Sequence, residues 1–201
     1  MPAPILYFVR HGETDWNAEA RLQGQRDVPL NAKGRAQARR CAALLRDLVA
    51  RAGGRLDAFT FVSSPLSRAN ETMEIVRADL GLPSEPPHQT DARLVELSFG
   101  RWEGLTFPEV RAADAAMLAD RERDLWNFRP PGGESYADLL ARVSDWHGGL
   151  SRCPAIVVAH GGVARALMVH FGVMAKDDAT RGRVDQGVVY AFSGTQMARH
   201  A

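Results

Sequence analysis

The sequence predicts an α/β protein: a three-layer α/β/α sandwich with a mainly parallel central sheet and a small cap insertion at about residues 97–135. Three observations carry that reading. Strand-like and helix-like segments alternate along the chain, the pattern of a parallel sheet built from crossover units. The central strand segments, such as "AIVVAH" at 155–160, are almost wholly apolar, as strands covered on both faces are. The chain has 201 residues, enough to bury one substantial core and short for two, so a single domain over 1–201 is expected.

The elements follow in order. "ILYFVR" at 5–10 reads as a buried strand. Residues 32–52 read as a helix capped by Asn31, with Ala36, Leu44, Leu45 and Leu48 on one face, ended by the glycines at 53–54. "AFTFVSS" at 58–64 is a second strand, after which Ser64 caps a helix with Pro65 at its first position, running to about Leu80. A loop at 82–89 leads to a short strand, and 106–127 reads as broken helix. "PPGGES" at 130–135 is a turn and helix start, with Glu134 in the first turn of a helix that continues to about 150. The strand at 155–160, a helix from Gly161 and a last strand at 187–193 complete the chain.

Composition bounds the function. Net charge is +1, so no global field draws nucleic acid or an anionic membrane surface. Apolar runs are too short to cross a bilayer, and the N-terminal stretch lacks the pattern of a signal peptide, so a cytoplasmic location is expected. Cys41 and Cys153 are the only cysteines and show no metal-ligand spacing; they are expected to stay reduced and unpaired. Nearly all basic residues are arginine, Lys33 and Lys176 being the only lysines. A GC-rich genome explains that bias; arginine also grips phosphate oxygens better than lysine.

Ligands of open α/β sheets bind beyond the C-terminal ends of the strands. The first strand ends at Arg10 and His11, with Gly12 permitting a turn. Arg68 follows the second strand, and His160, Gly161 and Gly162 follow the later one. "HGG" opening a helix offers free N–H groups to an anion. Two arginines, two histidines and a helix N-terminus on one rim suit a phosphoryl group. Each piece alone has a plain structural reading, and only the conjunction carries weight.

The motifs "RHGETDWN", "LQGQRDVPLNAKGRAQA", "SSPLSRANETMEI", "LVELSFGRWEG", "PGGES" and "VVAHGGV", in that order, resemble the histidine phosphatase superfamily, in the branch that includes cofactor-dependent phosphoglycerate mutases. The resemblance runs from about residue 5 to 170 and implies a phosphoglycerate mutase-like fold. It implies that His11 is the nucleophile and becomes a phosphohistidine, that Arg10 and Arg68 bind the phosphoryl oxygens, and that His160 completes the pocket. It implies Glu96 as proton donor, with Glu13 the rival because it also stands beside His11. Asn17, Gln23 and Gly24 match positions that touch phosphate or substrate, though Asn17 also suits a turn cap; Gly161 joins them at the helix start.

This chemistry needs no metal and no cofactor, and no phosphate loop or zinc-ligand pair of cysteines stands in the sequence. The expected function is a phosphomonoester hydrolase acting on a small phosphorylated metabolite. The alternative is a cofactor-dependent mutase, for which Arg111, Arg121, Arg123 and Arg129 offer further cations; the third reading is a non-catalytic phosphate-recognition module. Phe99 and Trp102 are the aromatic residues most suited to touch substrate, packing being their plainer use. A homodimer is a family-level expectation.

Overall fold

A computed structural model describes residues 4–150 and 153–201. In chain order it contains β1 (Leu6–Arg10), α1 (Asp15–Ala18), α2 (Ala32–Arg51), β2 (Thr60–Ser63), α3 (Ser67–Asp79), β3 (Gln89–Thr90), α4 (Phe107–Ala113) and α5 (Ala115–Arg123). There follow α6 (Tyr136–Gly148), β4 (Ala155–Ala159), α7 (Gly161–His170), α8 (Lys176–Arg181), β5 (Val189–Ser193) and β6 (Gln196–His200). The strands form one sheet in the order β3-β2-β4-β1-β5-β6.

The layers follow from the two-residue repeat of a strand, which sends neighbouring side chains to opposite faces. Leu6 and Phe8 of β1, with Ala155, Val157 and Ala159 of β4, enter a core shared with Leu139 and Val143 of α6 and Val163 and Leu167 of α7. Tyr7 and Val9, with Ile156 and Val158, enter the opposite core with Leu45 and Val49 of α2 and Met73 and Val76 of α3. Both faces are covered, which is why β4 is apolar throughout and β1 is apolar up to its last residue, Arg10. The segment 97–135 has a smaller core of its own, made by Trp102, Val110 and Leu118 with Leu22. The broken helix expected there is α4 and α5, interrupted at Asp114.

The sheet is mainly parallel, through β1 with β4, β2 with β4 and β2 with β3. It also has an antiparallel side, because β5 pairs antiparallel with β1 and carries β6 on its outer edge. That sixth strand, "QMARH", is mostly polar and half exposed, so it gives no apolar alternation to read. The helix at 32–51 stands where expected with its Asn31 cap, and Leu45 is buried as expected, but the rest of its buried face is different. Gly34, Ala38, Cys41, Ala42, Leu45 and Val49 face the core, Ala36 is exposed, and Leu44 and Leu48 sit at the margin. Small residues face inward because α2 packs closely against α3 and its Gly34 backbone abuts residues 12 and 13.

Two helix starts are corrected. Ser64 does not cap α3, which begins at Ser67 after Leu66; the Ser64 hydroxyl instead meets His160. Glu134 lies before α6, whose cap is Ser135, rather than inside its first turn. Cys41 and Cys153 are both free thiols, and burial pushes the Cys41 thiol up to about 12. Among the described residues no helix is long and apolar enough to cross a membrane.

Candidate active site

The ends of β1, β2 and β4 converge on a cavity of about 160 Å³ lined on that side by Arg10, His11 and Arg68. His11 continues the β1 ladder by one step, its N–H donating to the Ala159 carbonyl at 2.9 Å. Its Nδ1 lies 2.7 Å from the Gly12 carbonyl. A carbonyl can only accept, so Nδ1 carries the proton and Nε2 keeps its lone pair. Burial, then the neighbouring Arg68 and Arg10 guanidinium groups, hold the His11 pKa well below its ordinary value, so the ring is neutral and nucleophilic at pH 7.

His160 faces it, with ring centroids 5.1 Å apart. It is fully buried, and its Nε2 lies 2.8 Å from the Ser64 hydroxyl. Burial, then Arg68 and His11, depress its pKa well below the ordinary value too. Arg68 is fully buried, its Nη1 donating to the Arg26 carbonyl at 2.7 Å and its Nη2 to the Gly24 carbonyl at 2.8 Å. Gly24 presents that carbonyl from a left-handed conformation, φ +52°, which favours glycine. Arg10 donates through Nη1 to the Val184 carbonyl at 2.8 Å. Arg10 Nε, Arg68 Nε and His160 Nδ1 are buried and have no hydrogen-bond partner among the described residues. Unpaired buried donors are costly, so the two guanidinium Nε–H groups gathered beside a neutral histidine mark an anion site, with the unpaired His160 Nδ1 next to them.

Glu96 lines the opposite wall and receives N–H bonds from Leu97 at 2.8 Å and Gly162 at 3.0 Å. The expectation that the "HGG" amides would be free for an anion therefore changes: the Gly162 N–H is taken by the Glu96 carboxylate. A helix N-terminus favours a carboxylate as it favours phosphate. A Cβ at position 162 would collide with Glu96 Oε1, so a side chain there would displace the carboxylate from this amide. The rival, Glu13, does not line the cavity. It pairs with Lys33 at 2.7 Å, and the Lys33 hydrogen bond holds its carboxyl below the usual range.

Asn17, Gln23, Gly24 and Gly161 also line the cavity. The structure bears out the cap reading of Asn17, whose N–H closes the Thr14 cap, and its Oδ1 accepts from Gln186 at 2.9 Å. Of the two aromatic candidates, Phe99 reaches the cavity, whereas Trp102 is buried in the small cap core. The cap arginines do not line it: Arg111 pairs with Glu122, Arg123 with Asp120 and Arg129 with Asp138, and Arg121 stands over the Phe107 ring. Sequence reasoning missed Arg21, Tyr136 and Arg165 on the cavity wall. Arg165 stands four residues after Gly161 on α7, a spacing that puts both on one helix face and was there to be read.

A family model described as the histidine phosphatase superfamily (branch 1) matches residues 6–199. The chain is 37% identical over 174 residues to a glucosyl-3-phosphoglycerate phosphatase of Mycolicibacterium vanbaalenii, covering 81% of this chain and 71% of that protein. It is 31% identical over 197 residues to a 2,3-bisphosphoglycerate-dependent phosphoglycerate mutase of Gloeobacter violaceus, covering 94% and 84%. Among solved structures, the alpha-ribazole phosphatase of Shigella flexneri superposes with a TM-score of 0.80 at 28% identity, covering 96% of this chain and 94% of that one.

Proposed function

This chain belongs to the histidine phosphatase superfamily, branch 1, and on that footing we propose that it hydrolyses the phosphomonoester of a small metabolite through a phosphohistidine, without a metal or cofactor. One observation carries the reading: a neutral His11 with a free Nε2 lone pair stands beside the buried, unpaired Nε–H groups of Arg10 and Arg68 and the unpaired Nδ1 of His160. In the first step Nε2 attacks phosphorus, the bond to the ester oxygen breaks, and Glu96 gives that oxygen a proton. In the second, water attacks the phosphohistidine, Glu96 takes back a proton, and the N–P bond breaks to release inorganic phosphate. Arg10, Arg68 and His160 hold the three equatorial oxygens, where electrostatic stabilisation does most of the work of phosphoryl transfer. Asn17, Gln23, Gly24 and Gly161 border the substrate.

The named relatives act on phosphorylated small molecules, which supports that substrate class. The mutase relative covers 94% of this chain, so transfer to a second hydroxyl is the reading to test against hydrolysis. Arg111 and Arg123 pair with carboxylates of the cap and Arg129 with Asp138 of α6, and none of the three lines the cavity, which favours hydrolysis. The experiment is phosphate release, with EDTA present, from p-nitrophenyl phosphate, 3-phosphoglycerate, glucosyl-3-phosphoglycerate and alpha-ribazole phosphate. Release ranks the substrates. Conversion of 3-phosphoglycerate to its 2-isomer without release would replace the hydrolase by the mutase. Binding without turnover would leave a recognition module.

A further inference from the structure

The proposed chemistry leaves Arg142 and the "PGGES" glutamate, Glu134, without a task, yet both are built around the loop that carries Glu96. Residues 95–99 belong to no helix or strand, so no backbone ladder fixes them. The Val95 and Glu96 carbonyls turn instead toward one side chain on α6, as does that of Arg93 just upstream. Arg142 Nη1 donates to the carbonyls of Arg93 and Val95, each at 2.7 Å, and Nη2 donates to the Glu96 carbonyl at 3.0 Å. The remaining donors go to Glu134: Nε to Oε1 at 3.1 Å and Nη2 to Oε2 at 3.0 Å.

Glu134 closes the arrangement from the other side, since its Oε2 accepts the Ser98 N–H at 3.0 Å. Gln25 adds a third tie, its Nε2 donating to the Glu96 carbonyl at 3.1 Å. The main chain is therefore gripped at residue 96 and again at 98. The guanidinium is a rigid planar fork, so its bonds fix relative positions as well as supplying energy. At 18% and 26% side-chain exposure, Arg142 and Glu134 are shielded enough for charge-assisted bonds to hold.

We propose that Arg142, with Glu134 as its counter-charge, is the positioning residue that holds the Glu96 carboxylate in proton-transfer geometry. The proposal rests on Glu96 being the proton donor. It separates from a merely structural role because misplacing the acid harms only those leaving groups that need a proton. A shift of about 1 Å in a catalytic group can cost about 10²-fold.

The test compares Arg142→Met, Arg142→Lys, Glu96→Gln and the double variant Arg142→Met/Glu96→Gln. The readouts are kcat/KM on an alkyl phosphate and on p-nitrophenyl phosphate, with the melting temperature. Arg142→Met is expected to lose about 10²-fold on the alkyl ester and less than about 10-fold on the aryl ester. Arg142→Lys should recover part of the loss, and the double variant should be no worse than Glu96→Gln. Equal losses on both esters, additive losses in the double variant, or an unchanged alkyl rate in Arg142→Met would overturn the proposal. A Glu96→Gln variant without leaving-group dependence would overturn the assignment of the acid instead, which keeps the two failures apart. If Arg142→Met does not fold, Glu134→Gln serves: a lowered alkyl-to-aryl ratio supports the proposal, and an unchanged ratio defeats it.

Discussion

The two walls of the cavity are held by different means. On the sheet wall, Arg10, His11 and His160 sit at or one step past the ends of β1 and β4, and Arg68 stands in the first turn of α3. Parallel pairing and two hydrophobic cores position them. On the loop wall, Glu96, Gln23 and Gly24 lie outside helices and strands, and side-chain bonds from Arg142, Gln25 and Glu134 hold the Glu96 segment. The difference teaches where each kind of damage should appear. Disturbing the sheet wall threatens the fold and the site together, whereas disturbing the loop wall changes the chemistry and leaves the fold standing.

The sharpest way to break this contrast is His11→Ala, which removes the nucleophile while its neighbours keep their anchors. Phosphate release should fall to the assay background; a pure preparation with near-native turnover would end the phosphohistidine reading. Next is Glu96→Gln on the loop wall. The loss on alkyl phosphates should be about 10²–10⁴-fold, smaller on p-nitrophenyl phosphate, with melting nearly unchanged. Parallel losses on both esters, or a large fall in melting temperature, would erase the distinction between the walls.

Ile156→Ala probes the sheet wall without touching the cavity. Ile156 is fully buried, so urea unfolding should register about 2–5 kcal/mol of lost stability. An effect below about 1 kcal/mol would mean that the strand ends are not held by this core. The smallest expected effect is that of pH. His11 and His160 are neutral in the fold because burial, and then Arg68, depress their pKa. An unfolded histidine titrates near pH 6.5, so below that pH the unfolded chain binds protons that the folded chain refuses. Their contribution is complete above that pH and falls as pH drops, by up to about 1.4 kcal/mol per unit per histidine. Urea midpoints at pH 7.5 and 5.5 should differ, and His160→Gln should flatten the difference; a pH-independent midpoint would mean that the histidines are not buried neutral.

The same contrast explains what the sequence disclosed. Apolar runs ending in charged residues made β1 and β4 readable, and the motif order led to His11, Arg68, Glu96 and His160, all of which meet around one cavity save that His160 stands just behind its lining. What stayed hidden depends on partners distant in sequence. The inward face of α2 is set by small residues that permit close approach together with Leu45 and Val49, while Leu44 and Leu48 stay at its margin. Ser64 looked like a helix cap because its role depends on His160, 96 residues away. Nothing in the sequence singles out Arg142, since its carbonyl partners lie 46 to 49 residues upstream. Strand β6 carries no periodic signal because one of its sides has no neighbour in the sheet.

The bond from the Gly162 N–H to Glu96 joins the acid to the same short stretch of chain that presents His160. With Glu96 as the proposed proton donor, a substrate bulky enough to push the 96–99 loop outward would pull the carboxylate from that amide and so lose its proton. Size selection in such a site is exercised after capture: oversized esters would bind with ordinary KM and turn over slowly, and the penalty would shrink for esters whose alcohol leaves unaided. On the proposed mechanism shape would be proofread by proton supply, and a series of esters of increasing bulk, ranked by kcat at constant KM, would display it.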